Sequence, residues 1–516
     1  MQTSSMQTSS MQTSSMQTSS MQTSSTQSVL ADQRQDPEGS MSGELSQEDK
    51  ESFLVRFEAN DSGDPRNFSP AYKIWIAFQM SLLTTAGTLG AAIMTPASSQ
   101  IAEYAAVSSE ATSLVVALFM LGWAFGPLIW APISETYGRR MGMLPAVLMY
   151  SIFSVATATS TNATSIFLTR FFGGIFASAP ISNVPASLGD IYAPSTRGTA
   201  NAFVTLCISG GLTIGPVIGS AVTVNSRLGW RWTQYILAIC VFSIFMVCLV
   251  CLPETYPPVI LKRRAQQTRK RTGDARYWHP HEKEKISLQN AVTKYFSRPV
   301  RLLATEPIVT CLAFYAAYTY GLLYLTVEVV PMVFREQRQW RLVTSTLPFL
   351  GMLVGLVVTV IIILVDQVRY KKAVKRNGGN AVPEARLPTM LIGGVFLTTG
   401  LFWFGWTAAP EYHWVHPVVA AGFIEAGFDL VYFQCVNFLV DVYSIIAASA
   451  VAAITILRSI LACGLATAAR PMFDALGVSV ACSILGAVSC LALPIPLLLM
   501  KYNGVLVRRS KMATGS

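Results

Sequence analysis

Charge is what this sequence has least of: Asp, Glu, Lys and Arg supply 13% of its 516 residues, about half the share usual in soluble domains. Hydrophobic residues make up 52% and the mean hydropathy is +0.44. A soluble core cannot hide that much apolar surface, and long stretches with at most one charge are long enough to cross a hydrocarbon layer about 30 Å thick. Nucleotide-driven pumping is excluded, because no Gly-x-x-x-x-Gly-Lys-Ser/Thr run is present. Only four histidines occur, and His413 and His416 are too few for a metal site. No catalytic constellation stands at the ends of the apolar runs, so neither an enzyme nor a cofactor is expected. The nine cysteines lie in or beside apolar segments without the spacing of a disulfide frame.

What is present is repeated apolar length. Twelve candidate spans fall at 74–94, 112–132, 141–159, 165–187, 199–222, 233–252, 305–330, 342–365, 389–408, 418–440, 445–468 and 478–500. The expected fold is an all-α membrane protein of two six-helix halves, 74–252 and 305–500, joined by a basic linker, 253–304. Residues 1–73 begin with five Met-Gln-Thr-Ser-Ser repeats and read as a disordered tail, and 501–516 read as a short C-terminal tail. Lys and Arg resist translocation. With the N-terminus cytoplasmic, inner loops and C-tail hold twenty-five of them against six outside, so both termini are expected in the cytoplasm. The net charge of +10 is thus topogenic, and nucleic acid is not an expected partner. Asn162 heads a sequon that sits too close to the membrane for glycosylation.

Ionisable groups inside spans mark function. Arg170 lies within the fourth span, where a charge costs about 2.5 to 3.5 kcal/mol, and it either faces a cavity or snorkels to the interface. Glu425 and Asp429, four apart, share a face of the tenth span. Two carboxylates in a low-dielectric cavity do not both ionise cheaply; the alternative is that Asp429 pairs with a helix end or with Arg458 of the eleventh span. Carboxylates there suit a cationic substrate and Arg458 suits an organic acid, so both remain open. Tyr315, Tyr318, Tyr320 and Tyr324 can line an aromatic cavity or form interface belts. Glu306 and Glu328, at the ends of the seventh span, are expected to be interfacial.

After the second span come Gly122, Gly126, Pro127, Pro132, Ser134, Glu135, Gly138, Arg139 and Arg140. A short turn with a carboxylate, a glycine and two arginines can latch helix ends. This string resembles the signature loop of the major facilitator superfamily, with Ala131 and Glu135 replacing the usual glycine and aspartate as in the fungal drug:proton antiporter branch. Gly211, Gly215, Pro216 and Gly219 of the fifth span are similar to that superfamily's antiporter motif, with Ala202 and Ser220 departing from it. Arg170, with Gly173 and Gly174, matches its fourth-helix arginine. The likeness continues through Pro253 to Pro258, Glu306 and Pro307, Asp441 and Tyr443, and Leu457 to Ser459.

The resemblance implies a monomeric, proton-coupled antiporter that exports a small organic molecule (a secondary metabolite, drug, organic acid or polyamine) by alternating access, with proton-coupled uptake as the alternative. It implies proton coupling by Arg170 and gating by Gly126, Pro127, Glu135, Gly138, Arg139 and Arg140, while Glu425, Asp429, Arg458, Tyr320 and Tyr324 are candidates for coupling and the substrate cavity on their own chemistry. Small-molecule substrate, protons and lipid are the partners so implied. The plasma membrane is the expected site, with a vacuolar or other internal membrane as the alternative.

Overall fold

In the computed structural model, the described residues are 52–108, 111–282, 296–378, 381–443 and 447–509; the Met-Gln-Thr-Ser-Ser repeats lie outside them. Among the described residues the chain is helical, and its long apolar helices follow the expected spans. They are α1 (Pro70–Ala92), α2 (Leu114–Tyr137), α3 (Arg139–Thr159), α4 (Ala163–Ile191), α5 (Pro194–Val224) and α6 (Arg231–Cys251). The second set is α7 (Pro307–Met332), α8 (Phe349–Arg376), α9 (Leu387–Thr407), α10 (Val415–Val442), α11 (447–476) and α12 (478–492, prolonged by Pro494–Arg509).

Helix ends follow local chemistry. Ser69 caps α1 by accepting from the Tyr72 amide, with Pro70 at the first position, where its missing donor costs nothing. Asn162 caps α4 by accepting from the Ser165 amide at 2.8 Å, as a short polar side chain before a helix does. The eighth helix runs past the expected end at 365 to Arg376, because Lys375 and Arg376 suit a helix C-terminus.

The boundary between α11 and α12 is one residue. Helical hydrogen bonding runs almost unbroken from Ala447 to Ala492, yet Gly477 has φ 71° and ψ 161°, a conformation open essentially to glycine alone. The chain reverses there. On α7, Gly321 packs on Leu465 while Tyr318 donates to the Leu485 carbonyl at 2.6 Å. Twenty residues of straight helix would separate those two sites by about 30 Å. Gly138, with φ 105° and ψ 162°, joins α2 to α3 in the same way.

Within the first six helices, α2 packs on α4, α1 on α5 and α3 on α6; within the second six, α9 and α8 pack on α10 and α7 on α11 and α12. Two seams join the sets, α2 against α11 and α5 against α8. The α5–α8 seam is fastened at both ends: the Ser220 hydroxyl is 2.7 Å from that of Thr346, in the short helix Leu342–Thr346 just before α8, and Gly198 abuts the Gln367 carboxamide. Helices α1, α7 and α10 are mostly enclosed, whereas Ile74, Val250, Val354, Val365 and Leu491 stand bare on the outside. That apolar exterior is what lipid covers.

One correction concerns the tail. Residues 53–69 are ordered against the linker: Leu54 bridges Trp278, the Val55 amide donates to the Trp278 carbonyl at 3.1 Å, and Asp61 ion-pairs with Arg264. Their polar composition hid this, because the pairing partner lies two hundred residues away in a linker that itself contains a helix, Pro257–Thr272. Hydrogen bonds from Arg264 and Gly63 hold the Asp61 carboxyl at about 2, below its ordinary range, because they favour the charged form.

Candidate functional site

At mid-depth, four helices converge on the seam between the halves. α10 contributes Glu425, Phe428, Asp429 and Tyr432, one face sampled every three to four residues. Glu425 is fully buried and neither carboxylate oxygen has a hydrogen-bond partner. Asp429 accepts at Oδ1 from Ser209 of α5 at 2.8 Å, and its Oδ2 is open. Arg458 of α11 does not pair with Asp429. It donates to the Tyr432 hydroxyl and lies 4.6 Å from the Tyr320 ring centroid and 5.0 Å from that of Tyr432. Its Nε is unsatisfied. The cation is held by ring faces, a geometry guanidinium groups favour.

Tyr320 is the hub of an aromatic wall, with ring centroids 5.2 Å from Tyr324, 5.6 Å from Phe428 and 6.1 Å from Tyr432. Tyr315 and Tyr318 do not join it. Tyr318 is tied to α12 and Tyr315 packs against Gly394 of α9, because they fall on other faces of α7. Glu306, the N-cap of α7 at the end of the span, is buried and accepts from the Tyr443 hydroxyl at 3.0 Å.

Arg170 neither snorkels nor meets a carboxylate. It is buried, and its guanidinium fork donates to the carbonyls of Val115 at 2.9 Å, Gly90 at 2.9 Å and Ala91 at 3.4 Å, with Phe119 4.1 Å beneath it. Gly90 and Ala91 belong to the last turn of α1, whose carbonyls lack intrahelical donors. The arginine therefore fastens the end of α1 to the start of α2.

The turn after α2 is a latch whose keystone sequence reasoning missed. Glu254, just beyond α6, accepts from the backbone amides of Arg139 at 2.8 Å, Arg140 at 3.3 Å, Thr255 at 3.0 Å and Tyr256 at 2.9 Å. It does for α3 what a capping side chain does, since the cap residue Gly138 has none. Arg139 then pairs with Asp190 of α4 at 2.8 Å, donates to Ser134, and lies 4.6 Å from the Tyr256 ring centroid. A Cβ on Gly138 would stand 2.2 Å from Glu254 Oε2. Gly126 is needed for contact rather than for the turn: a Cβ there would fall 1.5 Å from Ser178 Oγ of α4. Pro127 lies inside α2, and Glu135 is two residues before the helix ends.

Gly211, Gly215 and Gly219 form one smooth face of α5 laid on the backbone of α1, as small residues allow between helices. A Cβ on Gly219 would sit 2.0 Å from the Ile93 carbonyl. Pro216 lies between the last two, buried. On the other half, Asp366 of α8 accepts from Thr389 at 2.7 Å and Gln434 at 2.8 Å, and Arg386 pairs with Asp441 at 3.0 Å. No sequence signal sets Asp366, Thr389, Gln434 or Arg386 apart.

A family model described as the Major Facilitator Superfamily matches residues 80–467. The chain belongs to that superfamily. The major facilitator superfamily multidrug transporter FLU1 of Candida albicans is 35% identical to it, over 90% of this chain and 77% of that protein. The citrinin biosynthesis cluster MFS transporter mrr1 of Monascus ruber is 36% identical, over 87% of this chain and 90% of that one. Among solved structures, the proton:xylose symporter XylE superposes with a TM-score of 0.60 at 16% identity, covering 84% of this chain and 96% of that one. That likeness concerns the fold. As a superfamily member the chain is a multi-pass integral membrane transporter and not an enzyme, and its relatives place it in the fungal drug-transporter branch.

Proposed function

We propose that this transporter is a proton-coupled antiporter that exports a small organic molecule by alternating access, the halves rocking about the mid-depth site. The observation that supports it most is Glu425, buried with both oxygens open beside the half-open Asp429. An ionised carboxylate without a donor is costly in such a place. It is stable there only with a proton or with a cationic or donor-rich ligand, and the two compete for the same oxygens. Three open carboxylate oxygens outnumber one open guanidinium nitrogen, so the site favours a molecule with donors or positive charge over a simple anion. The rings of Tyr320, Tyr324, Phe428 and Tyr432 suit a flat apolar body.

The linker and its twelve Lys and Arg lie on the cytoplasmic side in this reading, and the protein works as a monomer in the plasma membrane or an internal membrane. The names of its relatives, a multidrug transporter and a biosynthesis-cluster transporter, fit export. The test has two steps. Compounds that accumulate in the medium of overproducing cells identify a substrate, and its movement is then measured in proteoliposomes under an imposed pH gradient. Transport opposite to the proton flux, abolished by an ionophore and by Glu425→Gln, is expected; accumulation on the same side as the protons would give uptake instead.

A further inference from the structure

Proton exchange at Glu425 leaves Arg458 without a task. This guanidinium is buried, makes no ion pair among the described residues, and has an Nε with no hydrogen-bond partner. It is nevertheless fixed in place, because Nη1 donates to the Tyr432 hydroxyl and the Tyr320 ring lies 4.6 Å away. The opposite pole of the site is Glu425 and Asp429, with three buried, open carboxylate oxygens between them. Rings join the poles. Phe428, next to Asp429 in the chain, stacks on Tyr432 with centroids 5.8 Å apart and planes at 23°, and packs on Tyr320 at 5.6 Å. From Glu425 to Tyr432, whose hydroxyl holds Arg458, α10 makes about two turns, or about 10 Å.

That arrangement selects on charge. A simple cation seated on the carboxylates leaves the Arg458 Nε orphaned and brings its own charge toward a buried guanidinium, and like charges repel more strongly away from water. A simple anion at Arg458 meets the open carboxylate oxygens instead. A molecule that carries both charges, one at each end of a flat frame, offers each pole its opposite and leaves no buried charged group unmet.

We propose that the substrate is a flat aromatic zwitterion, with an ammonium end bound by Glu425 and Asp429 and an anionic oxygen at the other end bound by Arg458. The proposal rests on the antiport reading and names the substrate class of the same site. The two poles then divide the work. Glu425 exchanges: its proton leaves as the ammonium end arrives, and returns when the substrate departs. Arg458 discriminates: a guanidinium stays charged at any physiological pH, so it holds the anionic end whatever the state of the carboxylates.

Three probes on one frame test it: naphthalene carrying an aminomethyl group and a carboxylate at its opposite ends, and the same frame carrying only the aminomethyl group or only the carboxylate. Their binding to purified full-length protein at neutral pH is measured by titration calorimetry, and buffers of different ionisation enthalpy report the protons released. The doubly charged probe should bind at least about tenfold more tightly than either other, since a site with a built hydrogen-bonding group rejects a ligand lacking its partner. In Arg458→Gln its advantage over the amine should fall below about threefold. Equal affinity of the doubly charged probe and the amine in wild-type protein overturns the proposal, and so does failure of the doubly charged probe to bind. Should Arg458→Gln fail to fold, the wild-type ranking decides alone. Proton release separates this proposal from the reading beneath it. Binding of an ammonium probe should release a proton from wild-type protein and none from Glu425→Gln. Preference for the doubly charged probe without proton release upholds the substrate class and overturns the antiport reading; proton release without that preference does the reverse.

Discussion

Glu254→Ala tests the latch. The substitution removes the acceptor for the first two amides of α3, Arg139 and Arg140, and leaves Gly138 unable to replace it. Loss of an N-terminal cap costs about 1 kcal/mol, and loss of a negative charge at a helix N-terminus adds about 0.3 to 1 kcal/mol. The amides of Thr255 and Tyr256 lose their acceptor too, and because Thr255 is buried they add at least about 1 kcal/mol together. The total is about 2 to 3 kcal/mol, and about 1.4 kcal/mol is tenfold. Hydrogen exchange of the peptide spanning Ser134 to Pro145 should accelerate about 30- to 100-fold in Glu254→Ala, while peptides of α9 keep the wild-type rate. Glu254→Gln keeps an acceptor and should show a smaller part of the effect. Exchange within threefold of wild type in folded Glu254→Ala protein would show that the carboxylate does not hold the latch.

Arg170→Lys should not rescue Arg170→Ala in transport or in thermal stability, since an ammonium cannot fork to the Val115 and Gly90 carbonyls together; a snorkelling arginine would tolerate the change. Gly219→Ala drives a methyl onto the Ile93 carbonyl and should lower stability by about 1 to 3 kcal/mol, read as a reduced thermal midpoint. Gly464→Ala on α11, where a Cβ meets nothing, serves as the neutral control. The Asp61–Arg264 contact is also a pH test. Because the folded carboxyl is held down to about 2, its contribution is complete above the ordinary carboxylate value of 3.8 and fades as pH falls through about 2. Proteolysis within 53–69 should therefore stay constant from about pH 7 to about pH 4. In Arg264→Ala, cleavage should set in at higher pH.

The sequence is most legible where the solvent alone dictates the answer. A lipid-exposed helix must be apolar along its length, so spans such as Arg231–Cys251 are read within two residues of their ends. Interactions with backbone carbonyls are invisible in a sequence, because every residue has one. Arg170 therefore stands out while its partners, Gly90, Ala91 and Val115, do not. Glu254 stands in the recognisable run from Pro253 to Pro258, yet the amides it caps are more than a hundred residues earlier. The pairing of Arg458 with Asp429 is the natural inference from charge. It fails because two tyrosine faces and the Tyr432 hydroxyl outcompete a carboxylate that another helix has engaged.

That failure bears directly on the proposed coupling. Had Arg458 bridged Asp429, the site would be electrically closed and neither carboxylate would need a proton. As it stands, the one direct hydrogen bond from Asp429 to the other half is the Ser209 hydroxyl. A bond to a charged acceptor contributes about 1.5 to 3 kcal/mol and one to a neutral acceptor about 1 kcal/mol, so protonating Asp429 weakens this link by only about 1 kcal/mol. A shift that small cannot by itself invert an alternating-access equilibrium, which takes about 5.5 kcal/mol for a full swing. The larger lever is Glu425, which has no protein donor at all and whose ionised form is tolerated only with a ligand in place. In the proposed antiport, exchange of proton for substrate at Glu425, rather than rupture of the Ser209 bond, is therefore the step that has to drive the halves past one another.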